Sequence, residues 1–314
     1  GTAYEEGIDI RGNTVIQSSG GNITFRGKSD TGGGTGPGMY GFGFWVGTTS
    51  KSVNAGTGKI YIEGISYGST TTGMYNWGVT LDGTTVNLES ANTSPDAIVI
   101  KGSNKLISEA ISLVDGRGID LRATNTKIYA TGTGGGISLQ GGGYYGFTIY
   151  NNVELLAKSG PIELVATVSG NQTDIFMGAS TTKLYLGSKA SSPIVTSSSN
   201  ILIQANDFDF NSANPIIAST GIFSLEPVAS SSSFGQTVAT GWFAFNQNNQ
   251  TLSGLIFGKQ GNTSNVTHGT TAVTVAGPIE FFGNAVAINA LLGSSNANIN
   301  LHATGAVTQS AALT

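Results

Sequence analysis

One short phrase recurs along this chain with little change. It reads GNITFRG at 21–27, GKIYIEG at 58–64, GISLQG at 136–141 and GPIELVA at 160–166, with a shorter GIDLRA at 118–123 and a weaker NILIQA at 200–205. As a pattern it is G-(x)-I-x-[ILF]-x-[GA], with the first x optional. Two apolar residues separated by one residue point to the same face of an extended strand. A strand this short cannot bury that face alone, so a chain that repeats it must stack the copies.

Two more phrases accompany the first. One, roughly [NT]-x-Φ-x-Φ, appears as TTVNLES at 84–90, NTKIYAT at 125–131, NNVELLA at 151–157 and TTKLYLG at 181–187. The other, G-Φ-x-Φ, lies within aromatic stretches: GMYGFGFWVG at 38–47, GMYNWGVTLDG at 73–83 and, more loosely, GGYYGFTIYNN at 142–152. The three phrases follow a cyclic order, with triads beginning at residues 8, 15 and 23, at 44, 53 and 60, at 119, 128 and 137, at 147, 153 and 162, and at 175, 184 and 201. The first member recurs at spacings of 36 (Ile8 to Phe44), 35 (Phe44 to Val79), 28 (Ile119 to Phe147) and 28 (Phe147 to Ile175). On this reading Phe44 and Val79 are equivalent inward residues. The stretch 79–111 fits either one coil with a long corner or two short coils.

Three short strands per repeat predict an all-β fold, a parallel β-helix with one triangular coil per repeat and inward Ile, Val, Leu and Phe stacked between coils. Roughly nine to eleven coils at about 4.8 Å each make a rod about 45–55 Å long. A β-sandwich would show hairpins with two-residue turns instead. No segment carries the period of an amphipathic helix. Residues 1–229 read as coils with long glycine- and aromatic-rich corners. Residues 230–314 open on an irregular stretch and then resume the alternation at Val273 and Val275, Ile279 and Phe281, and Ile299 and Leu301, open at the C-terminal end.

Composition agrees. Of 314 residues 47 are glycine, which suits sharp corners, and 39% are hydrophobic, too many for a disordered polar chain. Only 10% are charged, the net charge is −4, and the 14 Lys and Arg form no run, which argues against nucleic acid as a partner. Cysteine is absent, excluding disulfides and thiol chemistry. No apolar run reaches the 18 or so residues of a membrane-spanning helix. The sequence begins GTAYEEG without a Met, and it reads as a piece of something longer.

The strings GNITFRG, GKIYIEG and GISLQG, together with GLIFGKQGNTSNVT, AGPIEFFGNAVAINALL and ANINLHATGAVTQS between 254 and 310, resemble the coils of filamentous-haemagglutinin-like bacterial exoproteins. The resemblance implies a right-handed β-helix, export to the cell surface or medium by two-partner secretion, and roles in adhesion, aggregation and biofilm or fibre formation. It implies no catalytic residue and no cofactor. The family's N-terminal secretion domain has no counterpart in these 314 residues.

Candidate sites are few. Exposed aromatics are the leading ones: Tyr40, Trp45, Tyr75, Trp77, Tyr144 and Tyr145, with Trp242, could stack on sugar rings or on another chain. If coils stack in register, Tyr40, Tyr75, Trp45 and Trp77 make an aromatic ladder on one edge. DGRGIDLR at 115–122 is the densest charge cluster, and paired carboxylates are what glycoside cleavage requires. Asp120 alternates with inward Ile119 and Leu121, so it reads as part of a solvated ion-pair edge. Asp207 and Asp209 read as outward neighbours, thin support for a cation. His268 and His302 read as exposed or corner residues. Asn296, Asn298 and Asn300 alternate and suggest a stacked ladder. No metal, cofactor or catalytic set is predicted. The expected function is a structural and adhesive segment at the bacterial surface, with host or neighbouring-cell glycans or proteins, or other copies of itself, as partners. A polysaccharide-degrading β-helix and a self-assembling extracellular fibre subunit are the alternatives.

Overall fold

The computed structural model describes residues 5–29, 39–45, 49–68, 76–106, 116–168, 173–229 and 231–314. The chain forms a parallel β-helix. Its first face is a seven-stranded sheet running from Glu5–Arg11 to Phe208–Asp209, and its second is a seven-stranded sheet from Thr14–Gln17 to Ile216–Ala218. The third is a ten-stranded sheet from Ile23–Lys28 to Ile299–Ala303. Each strand pairs in parallel with its counterparts one coil before and one coil after, as Asn125–Ala130 does with Thr85–Ser90 and Asn152–Ala157. The ten strands of the third face count ten coils, within the expected range.

Past residue 230 that third face continues without interruption through Gly254–Phe257 and Ile279–Gly283. The first face resumes as Val238–Ala239, Val266–His268, Val286–Ile288 and Val307–Gln309, and the second as Val273–Val275 and Leu292–Ser294. The irregular stretch foreseen here holds two 3-10 turns, Thr240–Trp242 and Gln247–Asn249.

The core is a set of vertical columns. Ile23, Ile60, Ile98, Ile137, Ile162 and Ile201 lie in one register on the third face, and the last five are at most 1% exposed. Each such side chain contributes about 1.5–3 kcal/mol by leaving water. In the later coils phenylalanines take over, with Phe257 packed between Phe223 and Phe281 at ring-centroid distances of 5.9 and 5.6 Å.

The other two faces shift the expected frame. Phe42, not Phe44, is the partner of both Ile8 and Val79, while Phe44 pairs with Ile10 and Leu81. GFGF offers two apolar residues in the same phase, so alternation alone cannot choose between them. On the second face Ile16 pairs with Val53 and points to the core, whereas Val15 is 68% exposed. Ile128 aligns with Leu155, and Val153 with Thr126. Val79 pairs directly with Ile119, so the described part of that stretch, residues 79–106, belongs to a single coil.

The corner joining the third face to the next first face positions the candidate site. Outgoing strands such as Ile60–Gly68 and Ile98–Leu106 overshoot the coil, and returning strands such as Asn76–Leu81 and Gly116–Leu121 come back across them. At each crossing the two backbones nearly touch. A Cβ on Gly64 would collide with the carbonyl of Gly78, and one on Gly102 with that of Gly118. This is why the recurring phrase ends in Gly or Ala and the aromatic phrase carries Gly before its first core residue.

Candidate functional site

Strand Gly116–Leu121 lies between Asn76–Leu81 and Tyr145–Ile149, which sets two outward columns side by side. Thr80, Asp120 and Thr148 form one, and Trp77, Arg117 and Tyr145 the other. Asp120 is fully buried, 0% exposed, although it faces away from the core. Its Oδ1 accepts bonds from Arg117 Nη1 at 2.6 Å and Thr148 Oγ1 at 2.5 Å, and its Oδ2 from Arg122 Nε at 2.5 Å and Thr80 Oγ1 at 3.4 Å. The expectation of a solvated ion-pair edge is therefore wrong. Two guanidiniums and two hydroxyls replace the water around one carboxylate, the condition under which a buried charge is tolerated.

Rings cover the guanidiniums. Arg122 lies 3.8 Å from the centroid of Trp77, and Arg117 lies 5.2 Å from Trp77 and 5.1 Å from Tyr150, all within cation–π range. Trp77, expected on the surface, is 0% exposed as a result. The cluster continues outward through Tyr145 and Tyr150, each 6.0 Å from Phe176, and through Tyr144, edge-on to Tyr145 at 5.2 Å. Tyr144, Tyr145, Tyr150 and Phe176 are half-buried and present the accessible ring surface.

The predicted ladder is thus partly regrouped. The backbone of Tyr40 pairs with Trp77 and that of Trp45 with Arg11, but the side chains of Tyr40 and Trp45 lie outside the described residues, as does the whole of Tyr75. Arg117 separates Trp77 from Tyr145, so guanidinium and ring alternate along the column. Trp242 is half-buried against Phe208 and Phe210 at 5.6 and 5.7 Å and belongs to the core edge.

Elsewhere, Asp207 couples with a residue not anticipated. Asp174 sits in register above it, 2% exposed, with Oδ2 accepting the Asn206 N–H at 2.5 Å. Burial, with the charge of Asp207 adding to it, pushes the Asp174 carboxyl up to about 6. Burial also raises Asp207. Asp209 instead accepts the Asn211 N–H at 3.0 Å. The signal was present, since the aspartates precede Ile175 and Phe208, which pair.

His268 contradicts its expected exposure. It is 0% exposed, with Nδ1 2.8 Å from Thr240 Oγ1 and Nε2 3.0 Å from the Leu291 carbonyl. A carbonyl only accepts, so the ring proton sits on Nε2 and Thr240 donates to Nδ1. Burial lowers the pKa and keeps the ring neutral. The alternation Val266-Thr267-His268 already put it inward. His302 is exposed and stacks on Phe282 at 4.3 Å. Asn296 and Asn300 do not stack: Asn296 bonds Ser295, and Asn300 pairs with Glu280.

A second outer cluster escaped sequence reading. The corner after Lys183–Gly187 folds over the second face and buries Tyr129, Leu156 and Ile194 together. The Tyr129 hydroxyl and Lys189 both donate to Glu154, Lys189 at 2.5 Å. Burial and the Glu154 carboxylate hold the Tyr129 phenol well above its usual range. Among the described residues no three His, Cys, Asp or Glu side chains converge as a metal would require.

Comparison with protein-family models, with curated proteins and with solved structures finds no match.

Proposed function

We propose that this chain is a structural and adhesive segment of a bacterial surface-attached or secreted exoprotein of the filamentous-haemagglutinin kind. What carries the proposal is the ten-strand third face, one unbroken register from Ile23 to Ile299. A rod built this way needs no second layer to hold its shape, and its outer walls stay open for contact along their length. On the first face the Trp77–Arg117–Asp120–Arg122 cluster fixes the half-exposed rings of Tyr144, Tyr145, Tyr150 and Phe176. Fixed rings beside polar groups suit the flat C–H faces of sugars or an aromatic-rich protein surface, at little cost in side-chain entropy. Low charge lets such walls approach a partner without strong repulsion. No described helix is long and apolar enough to cross a membrane.

The test is binding of the purified chain to arrayed glycans and to whole cells, beside a Tyr144→Ala/Tyr145→Ala variant. Adhesion predicts binding that the variant weakens about tenfold or more. Retention of full binding by the variant sinks the aromatic edge, and binding to no surface sinks adhesion. The Asp174–Asp207 pair gives the enzymatic alternative its one foothold, because a raised carboxyl beside a second one suits acid–base work. Release of oligosaccharides from pectin, alginate or glucan, lost in Asp174→Asn, would put that reading in its place.

A further inference from the structure

The outer wall of the third face is a parallel sheet in one register, and its charges are sorted along the rod. In its first three strands Arg26, Lys28 and Lys101 outweigh Glu63, which Arg26 pairs at 3.4 Å. From the fifth strand onward its outward charges are acidic: Glu163, Glu226 and Glu280. Between them stand apolar side chains, among them Tyr61, Val99, Val165, Leu202 and Ile256, all half-buried.

We infer that this wall docks against the same wall of a second copy of the chain, with the two rods antiparallel. A two-fold axis running along the strands, in the plane of contact, reverses coil order and keeps each column opposite itself. Arg26, Glu63, Lys101, Gln140, Val165, Gln204 and Glu226 form one such column in printed register. With the axis at the fifth strand, Val165 meets its own counterpart. Gln140 then faces Gln204, amide to amide, and Lys101 faces Glu226, because each lies two strands from the centre. One residue further along the same alternation, Arg26 faces the ring of Phe282. In the neighbouring column Tyr61 faces Ile256 and Ser138 faces Leu202. Only Glu163 meets a like charge, its own copy.

A parallel arrangement would set the basic end on the basic end, and like charges opposed across an interface suppress wrong pairings. The size also fits. The nine strands that face one another, at about 4.8 Å each and with about 13 Å of presented strand, give about 560 Å² of projected wall. Side-chain relief brings the buried surface near the roughly 800 Å² per partner of a standard interface. The inference does not depend on what the first face binds.

Charge reversal tests it by sedimentation equilibrium of the full chain. Lys101→Glu and Glu226→Lys should each weaken dimerisation about tenfold or more, and the double variant should restore it. Glu163→Gln should tighten it. Restoration in the double variant also shows that the single variants failed by charge and not by misfolding. A monomer at every concentration up to about 100 µM, or a dimer that neither single reversal weakens or that the double reversal does not restore, overturns the inference.

Discussion

Gly102 and Gly118 face each other where two strands cross, so closely that a Cβ on Gly102 would run into the carbonyl of Gly118. The relation repeats between Gly64 and Gly78 and between Gly141 and Gly146. It lets these early coils send a strand past the coil outline to cross the next returning strand, and the aromatic edge is built on those returning strands. Gly102→Ala is expected to lower stability by about 3 kcal/mol or more, since backbone must shift and not merely a side chain. Gly43→Ala, whose new methyl would meet only Thr80 Cγ2 at 3.2 Å, is expected to cost less than about 1 kcal/mol. Urea denaturation of the two variants checks the contrast.

Asp120 is the hub of its cluster. Asp120→Ala leaves Arg117, 8% exposed at the side chain, without its carboxylate, and breaking a buried pair from one side costs about 3–5 kcal/mol. Arg122, more exposed at 22%, loses less, so Arg122→Ala is expected to cost no more than about half of that. The near-ultraviolet dichroism of Trp77 should change in both variants, because both guanidiniums lie over its ring.

Asp174 sets a pH dependence of definite sign. Its folded carboxyl titrates at about 6 against 3.8 when unfolded, so its stabilising contribution is full below about pH 4 and is lost as the pH rises through 6. Asp174→Asn should flatten the stability profile between pH 4 and 6 by about 1–3 kcal/mol, and should leave the profile below pH 4 nearly unchanged. Denaturation midpoints across that range give the answer.

Phe257 joins the aromatic core of the later coils, in ring contact with Phe223, Phe243, Phe245 and Phe281. Phe257→Ala is expected to cost about 3–5 kcal/mol, and Phe257→Leu clearly less. If the coils past residue 230 unfold together with the earlier ones, both variants shift a single transition seen equally by dichroism and fluorescence.

How legible these features were depends on local redundancy. The third face was readable at Ile23, Ile60, Ile137, Ile162 and Ile201, because its phrase fixes an apolar pair against a terminal Gly or Ala, but Ile98 of the same column fell in the unparsed stretch and GIDLRA, which carries the same phrase, lies on the first face. The first face slipped by two residues at GFGF, where two apolar residues share one phase, and the second by one at Thr14-Val15-Ile16, where adjacent apolar residues offer two frames, and by two between Ile128 and Val153. At the candidate site the outward direction of Asp120 was legible, but its burial was not. Burial there comes from Arg117, Arg122 and Thr148, the last brought from the next coil, and a strand pattern carries no information about what lands on its outer side. The same holds for the corner over Tyr129 and Leu156.

The one-register rod underlies every inference about its walls, and one distance tests it. Thr24 and Asn300 lie in a single outward column of the third face, on its first and tenth strands. The chain has no cysteine, so Thr24→Cys/Asn300→Cys can be spin-labelled at those two sites alone and diluted into unlabelled chain to remove signals between copies. Nine steps of about 4.8 Å place the labels about 43 Å apart, and a narrow distribution at about 40–50 Å is the expected result of pulsed dipolar spectroscopy. A mean below about 30 Å, or a broad distribution without a peak, would contradict the ten-coil stack.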